Sequence, residues 1–170
     1  DVVRAGERVT GVIAVNKRGL IQINAKVIID ATGDADLAVA SGVPHDSPET
    51  GAEVQSLTTT FHLINVDMEQ AQAVTKAQLY DLMHDAIASG DYDLPRKEGS
   101  IHITPFKGVM ATNMTRIGNV DATDAEALTQ AEIEGRYQAE EYSRFLIDKV
   151  PGYQHADMTH LSHQIGVRES

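Results

Sequence analysis

Ala31-Thr32-Gly33-Asp34 stands where a β-branched run, Val27-Ile28-Ile29, gives way to the small-residue stretch Ala35–Ser41. A strand that ends in a glycine turn before a helix is how α/β proteins approach phosphates. Gly33 lets the main chain come close to a ligand. A helix over Ala35–Ser41 would offer free N–H groups and the positive end of its dipole. Asp34 and Asp36 suit a helix cap, or a ribose or water hydrogen bond, better than a phosphate. The same residues also satisfy a plain strand–turn–helix junction with an Asp cap. Spacing alone leaves both readings open.

Other side chains with chemistry to offer are scattered. Gln55, Thr58 and Thr60 lie in a Thr-rich stretch and can line a pocket, although polar positions on an antiparallel strand commonly face solvent. His155, His160 and His163 invite a metal reading, but a site needs three or four converging ligands. On a strand, His160 and His163 would point to opposite faces. There is no His-Glu-x-x-His, and Asp157 is the only acid between Gln154 and Val167. We therefore expect no metal site, and read His62, His84 and His102 as surface or satisfied core. No Gly-x-Ser-x-Gly elbow supports Ser/His/Asp chemistry.

Bulk properties narrow the classes. The chain has 170 residues, 42% of them hydrophobic, and a net charge of -11. That charge argues against nucleic acid or an anionic membrane as partner. No apolar run approaches the ~20 residues of a membrane span, and no signal peptide is visible. With no cysteine, thiolate metal sites, disulfides and Cys-held clusters are excluded from this segment. The lack of cysteine suits the cytoplasm, the compartment we expect, and does not forbid export. The chain starts at Asp1 without Met and ends in "GVRES"; both ends read as cut through structure.

The elements that must position these residues follow from periodicity. Val9–Val15, the turn Asn16–Gly19 and Leu20–Asn24 read as a hairpin. Val27–Ile29, without alternation, reads as a buried strand of a parallel sheet. Ser47–Gly51 is a loop and a domain boundary. Ser56–Asp67 reads as an antiparallel strand with Leu57, Thr59, Phe61 and Leu63 on one face. Met68–Ser89 has helical spacing, capped by Asp67 and ended by Gly90. Ser100–Thr104 and Val109–Ile117 read as strands joined by Pro105-Phe106-Lys107-Gly108. Thr123-Asp124-Ala125-Glu126 has the form of a capping box. It opens a long helix with an apolar stripe over Leu128, Ala131, Gly135, Ala139, Tyr142, Leu146 and Val150, stopped by Pro151-Gly152. Met158–Ile165 closes as a strand. The order describes an α+β chain: a β-meander and one buried strand of an α/β domain, then an antiparallel sheet packed by two helices.

Three stretches carry a family resemblance. "VIIDATGDADLAVASGVP" resembles the strand-and-turn segment of FAD-dependent oxidoreductases of the glutathione-reductase-like superfamily. "NMTRIGNVDATDAEALTQAEIEGRYQ" (Asn113–Gln138) and "HQIGVRES" (His163–Ser170) extend the likeness. In this order they resemble the middle of the bacterial FAD dependent oxidoreductase family, related to fumarate-reductase-like flavoproteins. The resemblance implies FAD as cofactor, bound in part by Ala31, Thr32, Gly33 and Asp34. It implies residues 1–46 as a partial FAD-binding domain, 47–165 as a substrate or cap domain and 166–170 as the return to the cofactor domain. It implies a small-molecule substrate near Gln55, Thr58 and Thr60, and Arg168 as a catalytic guanidinium able to hold a carboxylate or an anionic reduced flavin. An ion pair of Arg168 with Glu169 is the plain alternative. The family's N-terminal Gly-x-Gly-x-x-Gly is absent. The chain thus reads as an internal fragment, partnered by the remaining FAD-binding segments of its parent and inactive alone. The rival class is a non-enzymatic α+β binding or assembly module whose long helix docks on a partner.

Overall fold

The computed structural model describes residues 1–46, 51 and 53–168. Residues 47–50, 52, 169 and 170 lie outside the described residues. With them go most of the expected boundary loop Ser47–Gly51 and the Glu169 partner considered for Arg168. The chain divides into two units, one within Asp1–Ala52 and the other over Glu53–Arg168. The class is α+β, with two antiparallel sheets.

The first unit is a meander of β1 (Val2–Ala5), β2 (Arg8–Asn16) and β3 (Gly19–Asn24), paired in that order. The β2–β3 turn follows its residue types: Asn16 Oδ1 accepts from the Arg18 N–H at 2.8 Å, and Gly19 takes φ +105°. The expected strand over Val27–Ile29 does not form. A strand exists through its ladder, and no described strand pairs with these residues; Val27 and Ile29 are 77% and 83% exposed. The helix expected over Ala35–Ser41 is a short one, α1 (Asp36–Ala40).

The second unit holds a sheet of order β5-β6-β4-β7, formed by β4 (Phe61–Ile64), β5 (Ser100–Ile103), β6 (Met110–Asn113) and β7 (Asp157–Leu161). The long strand expected over Ser56–Asp67 shortens to β4, preceded by isolated bridges Leu57–Ile117 and Thr58–Gly166. The reason is local. Thr112 Oγ1 donates to Phe61 O at 2.9 Å, and Thr115 Oγ1 donates to Thr59 O at 2.8 Å. Each hydroxyl also accepts, from the N–H of Phe61 and Thr59 respectively. Side chains thus stand in for ladder partners where the two strands drift out of register. The alternation itself holds: Leu57, Phe61 and Leu63 are fully buried, and Thr59 nearly so.

Met68–Ser89 forms two helices rather than one, α2 (Met68–Ala73) and α3 (Lys76–Ser89). Asp67 caps the first, as expected. A capping box of Thr75 and Gln78 restarts the second, because both side chains satisfy backbone groups that a continuous helix would have paired otherwise. Gly90 closes α3 with φ +77°. The long helix α4 (Ala125–Lys149) is capped by Asp124, one residue later than the Thr123 box predicts. The Thr123 hydroxyl is already donated to Asp121 at 2.6 Å, which leaves Asp124 to accept from Glu126 and Ala127.

The apolar stripe of α4 lies on the core of its own unit. Ala139, Tyr142, Phe145 and Leu146 are fully buried with Phe61, Leu63, Met83 and Met114. A smaller cluster of Leu57, Ile117, Ala131 and Ile165 sits near its first turns. The contact of α4 with the chain before β4 admits no side chain at Gly135. A Cβ there would fall 2.2 Å from Thr59 Oγ1 and 3.1 Å from Thr59 Cβ. Gly135→Ala is expected to destabilise the second unit by about 1–3 kcal/mol through overpacking. Urea unfolding followed by tyrosine fluorescence measures it, since Tyr80, Tyr92, Tyr137, Tyr142 and Tyr153 are all the tyrosines and all lie in this unit. The buried Thr59 hydroxyl has no hydrogen-bond partner, so adding Thr59→Ala should recover most of the loss.

Candidate functional site

The polar face opposite the core lines a cavity of about 560 Å³ in the second unit. Thr58 and Thr60 alternate with the buried Leu57, Thr59 and Phe61, and so turn to it. Val54, Gln55, Ser56, Asn113, Thr115 and Gly166 complete its sides with Arg96, Arg116 and Arg168. Among the described residues the lining contains three guanidinium groups and no carboxylate. Among the described residues the ion pairs are Arg136–Glu132 and Arg144–Glu141, so none of the three lining arginines pairs with a described acid. Arg96 is half-buried, whereas Arg116 and Arg168 are exposed.

Two buried side chains of α4, four residues apart on one face, hold this lining from behind. Tyr142 Oη accepts from the Arg96 N–H and donates to the Arg96 carbonyl, both at 2.8 Å. Gln138 Oε1 accepts from the Arg116 N–H at 2.8 Å, and its Nε2 donates to the Arg116 carbonyl at 3.1 Å. Glu134, one turn earlier, accepts a second bond from Gln138 Nε2 at 3.0 Å and orients the amide. Arg96 Nη1 donates further to Asn113, to Oδ1 at 3.1 Å and to the carbonyl at 3.3 Å. One nitrogen is thereby pinned, and the remaining N–H groups of that guanidinium have no partner among the described residues. Gly166 and Thr58 exchange both backbone bonds, which brings the chain leading to Arg168 alongside Thr58.

The structure therefore brings Arg168 into one cavity with Gln55, Thr58 and Thr60, which were singled out from the sequence together as polar positions of one strand. It adds Arg96, Arg116, Asn113, Gln138 and Tyr142, which sequence reasoning missed. Arg96 stood in a stretch that reads only as polar and turn-prone. A signal for Gln138 was present: an amide lies inside the apolar stripe between Gly135 and Tyr142, and a buried amide must have partners.

Ala31, Thr32, Gly33 and Asp34 belong to the first unit, in an exposed turn. Asp30, an acid not singled out from the sequence, organises it. Its carboxylate accepts from the Thr32 hydroxyl at 2.7 Å, the Thr32 N–H at 3.0 Å and the Ala38 N–H at 2.9 Å. The Thr32 hydroxyl bond leads in holding Asp30 below the usual carboxylate range, with the backbone N–H groups adding to it. Thr32 Oγ1 in turn accepts from the Asp36 N–H at 2.8 Å. Ala35, the N-cap of α1, takes φ +53° and makes no side-chain cap bond. With only five residues, α1 does not supply the dipole end expected of it. Gly33 has no left-handed φ, and a Cβ on it would meet nothing within 4 Å. Neither the backbone nor packing within this unit requires a glycine there.

The chain belongs to the FAD dependent oxidoreductase family, whose family model matches residues 1–170. The family's cofactor is FAD. A search of curated proteins returns no match, and neither does a search of solved structures. The 30–38 turn fits part of that cofactor: its backbone is exposed, braced by Asp30, and open on the glycine side. Asp30, Asp34 and Asp36 make it unsuited to the pyrophosphate. Among the described residues no helix is long and apolar enough to cross a membrane, and no three His, Asp or Glu converge as metal ligands.

Burial pushes the phenol of Tyr142 up to about 12, against the opposing effect of its bond from the Arg96 N–H. Burial likewise pushes Tyr153 up to about 12. A phenol with a higher pKa folded than unfolded holds its proton more tightly when folded. The stability this contributes is complete below the unfolded value of about 10 and is lost as pH rises toward 12. Alkaline titration of tyrosinate absorbance is expected to show these two groups ionising last, together with loss of the fold. Tyr153→Phe should shift the unfolding midpoint to higher pH; an unchanged midpoint contradicts the linkage.

Proposed function

We propose that this chain is the central part of an FAD-dependent oxidoreductase whose small-molecule substrate occupies the cavity beside Arg168. The observation that supports the reading is that Gln55, Thr58, Thr60 and Arg168 line one cavity in a chain of a flavin family. In this reading Gln55, Thr58 and Thr60 hydrogen-bond the substrate and set its orientation. Arg168 is the catalytic residue: its guanidinium meets negative charge on the substrate, or charge that develops as electrons move. Ala31, Thr32, Gly33 and Asp34 are the stretch that touches FAD. When bound, FAD supplies hydride transfer, while the protein contributes position and electrostatics.

The sequence has no Gly-x-Gly-x-x-Gly, the turn that cradles a dinucleotide pyrophosphate. Each charge-assisted hydrogen bond of such a cradle is worth roughly 1.5–3 kcal/mol. These residues alone therefore hold FAD weakly and are inactive, and the rest of the parent chain completes the site. Titrating the 170-residue chain with FAD tests this directly, and tight binding would refute it. The full-length protein is expected to show the visible bands of oxidised flavin; a colourless protein overturns the assignment. Gly33→Val should lower its flavin content severalfold and leave the unfolding midpoint of the flavin-free protein unchanged. Undiminished flavin in that variant removes Gly33 from the cofactor site.

A further inference from the structure

We propose that the cavity of the second unit is a binding site for a small oxyanion, a carboxylate or phosphate group held by Arg96 and Arg116 with Arg168 beside them. The molecule carries 25 acidic and 14 basic residues, so three arginines in one lining with no acid among its described residues run against its composition. Arg136 and Arg144 pair with carboxylates; among the described residues Arg96 and Arg116 do not, and they stand together in one lining. The arrangement is also built rather than incidental. Two buried side chains of α4 lock the backbones of Arg96 and Arg116 with reciprocal hydrogen bonds, and Asn113 pins one nitrogen of Arg96. Locking the chain beneath two long cationic side chains reduces the freedom lost on binding.

A planar guanidinium with five N–H donors matches carboxylate or phosphate oxygens two at a time. The threonine hydroxyls of Thr58 and Thr60, on the same wall, can donate to the remaining oxygens. Calling the anion a substrate rests on the flavoenzyme reading above. Its binding does not, since every residue involved lies within Glu53–Arg168.

The test is calorimetric titration of the 170-residue chain with succinate, with inorganic phosphate and with the neutral isostere succinamide. Succinate or phosphate should bind and succinamide should not; whichever anion binds more tightly identifies the class. Arg96→Met and Arg116→Met should each weaken binding about tenfold or more. Arg136→Met, a surface control, should leave it unchanged. Arg116 is exposed, so its variant remains informative if Arg96→Met fails to fold. Equal binding of succinamide, or undiminished binding in Arg116→Met, overturns the proposal. A chain that binds succinate while the full-length protein is colourless sinks the flavin reading and keeps the anion site. A flavin-loaded protein whose second unit binds neither anion does the reverse.

Discussion

The reciprocal bonds from Gln138 and Tyr142 to the backbones of Arg116 and Arg96 are the constraint on which the cavity depends. Each side chain satisfies both the N–H and the carbonyl of one residue, so neither arginine has a backbone group left to draw it into regular structure. A buried donor or acceptor left unpaired costs about 1–3 kcal/mol, so breaking either clamp penalises the loop and the helix together. Because the two side chains sit one turn apart on α4, a single rigid helix sets the spacing of two otherwise irregular segments. The same helix faces the core through Ala139, Phe145 and Leu146. Packing energy from the core thereby holds a polar site in place.

Threonine plays a parallel part on the sheet side. Thr112 and Thr115 return hydrogen bonds to Phe61 at the start of β4 and to Thr59 just before it, where ladder pairing lapses. That substitution lets Thr58 and Thr60 face the cavity while Leu57 and Phe61 stay in the core. Thr59, between them, presses on Gly135 of α4, and the absent side chain at 135 lets helix and strand approach closely. The inner face is therefore tightly determined while the outer face remains free to vary in polarity.

Charge separates the site from its surroundings. At physiological salt, exposed charges beyond about 8 Å are largely screened, so an approaching anion responds to the arginines of the lining more than to the net charge of -11. In the first unit the pattern is reversed. Asp30 spends its carboxylate on bracing a turn, and the glycine at the exposed tip has no role inside that unit.

Periodicity and caps determined the elements themselves: the hairpin, the alternating face of Leu57, Thr59, Phe61 and Leu63, the helix stop at Gly90, and the long helix with its stop at Pro151. These are local rules, set by the repeat of side-chain direction and by turn chemistry. Local rules misread Val27–Ile29, where β-branched residues lack the ladder that makes a strand. They also joined α2 to α3 across the Thr75–Gln78 capping box that restarts the helix, and placed the α4 cap one residue early because Asp121 takes the Thr123 hydroxyl. Only the tertiary structure decided that Arg96, Arg116 and Arg168, far apart along the chain, share one wall with Gln55, Thr58 and Thr60. Convergence of that kind depends on long-range hydrogen bonds from a buried amide and a buried phenol, and no spacing along the chain encodes which backbone groups they will find.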